Sequence, residues 1–67
     1  MDVIVKLPPE GGYWMFRARS YLGMYQDWSL YIVDTLTDTA ALPGIPESRA
    51  KLNCFHGEWR RPHSNAL

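Results

Sequence analysis

The chain has 67 residues, one cysteine, and seven basic against seven acidic side chains, so its formal net charge is zero. That length holds one small domain, residues 1–67, near the lower limit at which a chain folds without staples. The charge balance excludes a global field that would draw the chain to phosphate, and the lone Cys54 excludes an internal disulfide.

A single thiol without metal-type spacing points to a reducing compartment, so a cytoplasmic location is expected. The opening Met1-Asp2-Val3-Ile4-Val5-Lys6 carries an acid and only a short apolar run. It is read as neither a signal peptide nor a membrane span.

Val3, Val5 and Leu7 alternate with Asp2, Ile4 and Lys6, a period of two that predicts a first strand. Pro8-Pro9 ends it, and Gly11-Gly12 leads into a second strand over Tyr13–Tyr21. There Trp14, Phe16 and Ala18 are expected in the core, with Tyr13, Met15, Arg17 and Arg19 on the opposite face.

Leu22–Asp27, with Gly23, suits a connection between antiparallel neighbours. The third strand, Trp28–Asp34, is apolar on both faces: Trp28, Leu30 and Ile32 are read as inward, Ser29, Tyr31 and Val33 as outward. From Thr35 to Pro46 the pattern dissolves into a loop, in which Asp38 caps at most a single turn.

Pro46 at a first helical position, Glu47 behind it, and Arg49 and Lys51 further on predict a short helix over 46–53, with Leu52 facing the core. Cys54–Arg61 then reads as a last strand bent at Gly57, closed by Pro62 and followed by a flexible tail, 62–67. The expected fold class is therefore α+β, a small antiparallel sheet of three to four strands with one short helix. An SH3-like or OB-like small β-barrel is the alternative.

Seven of the nine aromatic residues fall between Tyr13 and Tyr31, with Arg17 and Arg19 among them. Tyrosine beside arginine on a sheet face suits a protein interface, and equally base stacking with phosphate contact. Zero net charge favours the protein partner. Tyr13, Arg17, Arg19 and Tyr31 are thus the expected contact set, with Trp59, Arg60 and Arg61 as an outer cluster. The competing reading has the segment 35–53 covering this face and the arginines reaching to its edge.

Cys54, His56 and His63, with Glu58 nearby, are the only metal-type cluster, and they lack a second reliable ligand pair. No metal or cofactor is expected. Nor is an enzyme: nothing near Cys54 and His56 would orient the histidine, and Gly11-Gly12 lacks the lysine and helix of a phosphate loop.

The function expected from these residues is a non-enzymatic protein-binding module acting on a host protein or a larger complex. In style it resembles the phage and mobile-element accessory proteins that inhibit a host machine. Single-stranded nucleic-acid binding through the same face, and a small structural subunit of a larger assembly, are the alternatives. No membrane partner is expected, and self-association is compatible with the pattern.

Overall fold

A computed structural model describes residues 3–62. The elements are β1 (Gly12–Ala18), β2 (Ser29–Asp34), β3 (Thr39–Leu42), β4 (Ile45–Lys51), a one-turn 3₁₀ helix (Leu52–Cys54) and β5 (Gly57–Arg60). They form one antiparallel sheet of five strands in the order β4-β3-β2-β1-β5. The helix expected over 46–53 is a correction: that segment is β4 running into the 3₁₀ turn, so the described residues are all-β apart from that turn.

The local reason lies just upstream. Leu42 pairs with Ile45 across Pro43-Gly44, and Gly44 has φ 76°. Proline followed by a glycine of positive φ is the chemistry of a type II turn. This turn starts a hairpin where Pro46 and Glu47 alone signal a helix. Such a turn splays its strands, and the register shifts between Ala40 and Leu42. The Ser48 hydroxyl holds the irregular end, accepting from the Leu42 amide at 2.7 Å and donating to the Ile45 carbonyl at 2.6 Å. Pro46 costs the sheet little because β4 is an edge strand.

Thr39–Leu42, expected as loop, is β3. Asp38, expected as a helix cap, has φ 60° and turns the chain between β2 and β3, while the Asp34 carboxylate accepts from the Leu36 amide at 2.9 Å. The first expected strand shrinks to one residue: Val5 exchanges two backbone hydrogen bonds with Trp59 (2.8 and 2.9 Å), while Val3 and Leu7 are exposed. β1 and β2 sit where the alternation placed them, β1 ending earlier, at Ala18. The last strand is narrowed to β5. Of the tail 62–67, residues 63–67 lie outside the described residues.

The core lies on one face of the sheet. Trp14, Phe16, Val33, Ala40, Leu52 and Trp59 are buried, and Val5, Ala18, Tyr31 and Phe55 pack against them. Leu52 faces inward as expected. Four rings, Phe16, Tyr31, Phe55 and Trp59, contact one another in every pairing, with centroids 4.6–6.0 Å apart. All six pairs meet edge to face or tilted, which matches the negative face of one ring to the positive edge of the next. Trp59 is fully buried, and its Nε1 has no hydrogen-bond partner among the described residues.

The phase of β2 is the second correction. Trp14 lies opposite Tyr31 and Gly12 opposite Val33. Tyr31 and Val33 therefore share the inner face with Trp14 and Phe16, and Leu30 and Ile32 point outward. Both sets are apolar, so alternation alone left the choice open, and the pairing with β1 made it.

Candidate functional site

The face away from the core carries the side chains available to a partner. Reading across the sheet, Ala41, Ile32 and Tyr13 form one row, Leu30, Met15 and Arg60 the next, and Arg17 faces Glu58 in the last. Tyr13, Leu30 and Ile32 are 54%, 36% and 38% exposed. On one side a groove of about 220 Å³ runs past Ile32 and Ala41, between Asp34, Pro46 and Arg49.

At the other end of this face a charged and aromatic stack stands on the sheet. The Arg17 guanidinium lies 4.1 Å from the centre of the Tyr25 ring and 4.7 Å from that of Trp28, and Arg60 lies 4.3 Å from Trp28. Arg17 also donates from Nε and Nη2 to Glu58 Oε1, at 3.2 and 2.8 Å, and the Tyr25 hydroxyl donates to Oε2 at 3.2 Å. The hydrogen bond from Arg17 holds the Glu58 carboxyl below the usual carboxylate range; the bond from Tyr25 adds to this and partial burial opposes it. Each guanidinium–ring contact contributes about 0.5–1 kcal/mol at a partly exposed site. The stack clasps the long β1–β2 connection onto the sheet, since Tyr25 and Trp28 belong to that connection while Arg17, Glu58 and Arg60 belong to strands.

The structure divides the expected contact residues. Tyr13 and Arg17 are on the outer face, Arg60 stands beside them over Trp28, and Arg19 lies past the end of β1 on the exposed connection. Trp59 is fully buried in the aromatic core, and Tyr31 is half-buried on the inner face, packed against that core. Arg61 is engaged within the fold. It lies 4.2 Å from the centre of the Trp14 ring, pairs with Glu10, and donates to the Tyr13 carbonyl at 3.0 Å. Segment 35–53 does not lie over the outer face, because it supplies β3 and β4 of the same sheet.

Sequence reasoning missed Tyr25, Trp28 and Glu58 as parts of this surface. Arg17 and Glu58 are 41 residues apart, and only the pairing of β1 with β5 brings them together. Among the described residues, no group of three His, Cys, Asp or Glu side chains is placed to hold a metal; His63 lies outside them. No helix among them is long and apolar enough to cross a membrane. Comparison with protein-family models, with curated proteins and with solved structures finds no match.

Proposed function

We propose that this chain is a non-enzymatic protein-binding module whose contact surface is the outer face of the sheet. The observation that carries the reading is the two apolar cross-strand pairs on that face, Tyr13 with Ile32 and Leu30 with the half-buried Met15, in which Tyr13, Leu30 and Ile32 are exposed. Apolar and aromatic side chains ringed by polar groups are the composition of a protein interface. Here Arg60, Arg49 and Asp34 provide that rim. The strand order, with a single 3₁₀ turn just before the last strand, fits an SH3-like small barrel, an architecture that hosts many functions and so adds nothing to the choice of partner.

A chain this small gains stability when a partner covers an exposed apolar face, which suits an inhibitor or small subunit of a larger complex. Nucleic-acid binding through the same face is less well supported. The charge of Arg17 is matched by Glu58, and the Tyr25 and Trp28 rings already stack on guanidinium groups.

The test compares wild type with Ile32→Lys and with Asn53→Lys, an exposed control outside the strands. Each is isolated as a tagged protein from its own cell and weighed by native mass spectrometry. A stoichiometric protein complex kept by the control and lost by Ile32→Lys is the expected result. Equal recovery in all three refutes the assignment of this face, and an oligonucleotide complex that dissolves with salt replaces the protein reading.

A further inference from the structure

The chain has seven lysines and arginines, and five of them are engaged within the fold. Arg17 pairs with Glu58, Arg61 with Glu10, Arg49 bonds the Thr39 hydroxyl, Lys51 the Thr37 carbonyl, and Arg60 stacks on Trp28. The other two, Lys6 and Arg19, make no side-chain hydrogen bond or ion pair with any described residue, and both line the same cleft.

That cleft, of about 410 Å³, lies between the β1–β2 connection and the chain entering β5. Its walls are Arg19, Ser20, Tyr21 and Tyr25 on one side and Phe55, His56 and Gly57 on the other, with Lys6 alongside. Backbone bonds tie the two walls together and shape them. The Arg19 amide donates to the His56 carbonyl at 3.1 Å, and the Ser20 amide to the Met24 carbonyl at 2.7 Å, closing a small turn at Gly23. Among the described residues no carboxylate lines the cleft. Glu58 of β5 is held by Arg17 and Tyr25 outside the cleft lining, and Lys6 adds its charge to the field on that carboxylate without a direct bond.

From the convergence of two exposed cations, Lys6 and Arg19, with the rings of Tyr21, Tyr25 and Phe55 on one cleft we infer a second binding site, distinct from the outer face, that takes an acidic peptide segment of a protein partner. Arg19 and Lys6 receive its carboxylates, and Tyr21, Tyr25 and Phe55 receive an apolar or aromatic side chain between them. Arginine suits this task because its planar fork matches a carboxylate with two parallel hydrogen bonds. The volume is that of a site for a few side chains rather than for a folded domain.

The probe is a terminally blocked peptide of four glutamates around one tyrosine, titrated into isotope-labelled protein and followed by amide NMR shifts. Its glutamine counterpart is the control. The expected result is saturable shifts at residues 19–21 and 55–57, weakening as salt rises and absent with the glutamine peptide. Lys6→Gln and Arg19→Gln each weaken binding about tenfold. Both side chains are exposed, and an unchanged spectrum elsewhere verifies that the variants fold. Ile32→Lys leaves this binding intact, which separates the cleft from the outer-face reading. Equal affinity for the two peptides, shifts confined to the outer face, no saturable shifts, unaltered binding by both variants, or tighter binding of oligothymidine at the same amides would each overturn the inference.

Discussion

Gly57→Ala tests whether β5 is seated as the structure has it. A Cβ built on Gly57 lies 2.0 Å from the Arg17 carbonyl oxygen and 2.9 Å from the Ala18 Cα. Both are backbone atoms of β1, so no side-chain rotation relieves the clash. β5 must move away from β1, and β5 carries Trp59 into the core and Glu58 to Arg17. Overpacking costs about 1–3 kcal/mol where side chains can adjust. Loosening even two ladder hydrogen bonds adds about 1 kcal/mol each. The expected loss is therefore about 3–5 kcal/mol, comparable with the whole stability of a domain this size, about 3–5 kcal/mol. Gly23→Ala is the internal control: a Cβ there meets nothing within 4 Å, and φ 81° alone penalises it, by about 1–2 kcal/mol. The assay is urea unfolding followed by tryptophan fluorescence. At a slope of about 1 kcal/mol per molar, Gly57→Ala lowers the midpoint by about 3 M or leaves the protein unfolded in buffer. A Gly57→Ala midpoint equal to that of Gly23→Ala would refute the close approach of β5 to β1.

Two further outcomes follow from the same geometry. Glu58 holds its proton more weakly in the folded chain than in the unfolded one. The stability it contributes is full above its unfolded pKa of about 4.3 and is lost as the pH falls through the lowered folded value. The difference in urea midpoint between wild type and Glu58→Gln should therefore hold from neutral pH down to the unfolded pKa of about 4.3 and shrink as the pH falls below it; an unchanged difference argues against the Arg17–Glu58 pair. The phase of β2 is checked by two truncations: Tyr31→Ala, which removes one ring of the aromatic core, costs about 3 kcal/mol, whereas Leu30→Ala on the outer face costs less than about 1 kcal/mol. The reverse order would mean that Leu30 and Ile32 face inward.

The central hairpin was legible because Tyr13-Trp14-Met15-Phe16 and Leu30-Tyr31-Ile32-Val33 are apolar runs rich in aromatic and aliphatic residues, bounded by glycine-bearing or polar segments. The outer face of the sheet was legible only in part. Tyr13 and Arg17 lie on it as expected, but Tyr31 and Trp59 are on the inner face, and Trp28, expected in the core, stacks on two arginines outside it. The β3–β4 hairpin went unread because Thr39-Ala40-Ala41-Leu42 has small residues without a clear period, and Pro46-Glu47 imitates a helix start. Pro43-Gly44 was the signal that reading overlooked.

By itself the sequence determined which residues travel together: side chains two apart on a strand share a face whatever the fold does. It also determined the zero net charge and the crowding of rings and arginines between Tyr13 and Tyr31. Only the tertiary structure decided which face is which, because β2 is apolar on both sides and its phase is set by pairing Tyr31 with Trp14. It likewise decided which charges stay available. Arg17 meets Glu58 and Arg61 meets Glu10 across long stretches of chain, leaving Lys6 and Arg19 at the cleft. Long-range pairing is a property of the assembled sheet, and local alternation carries no record of it.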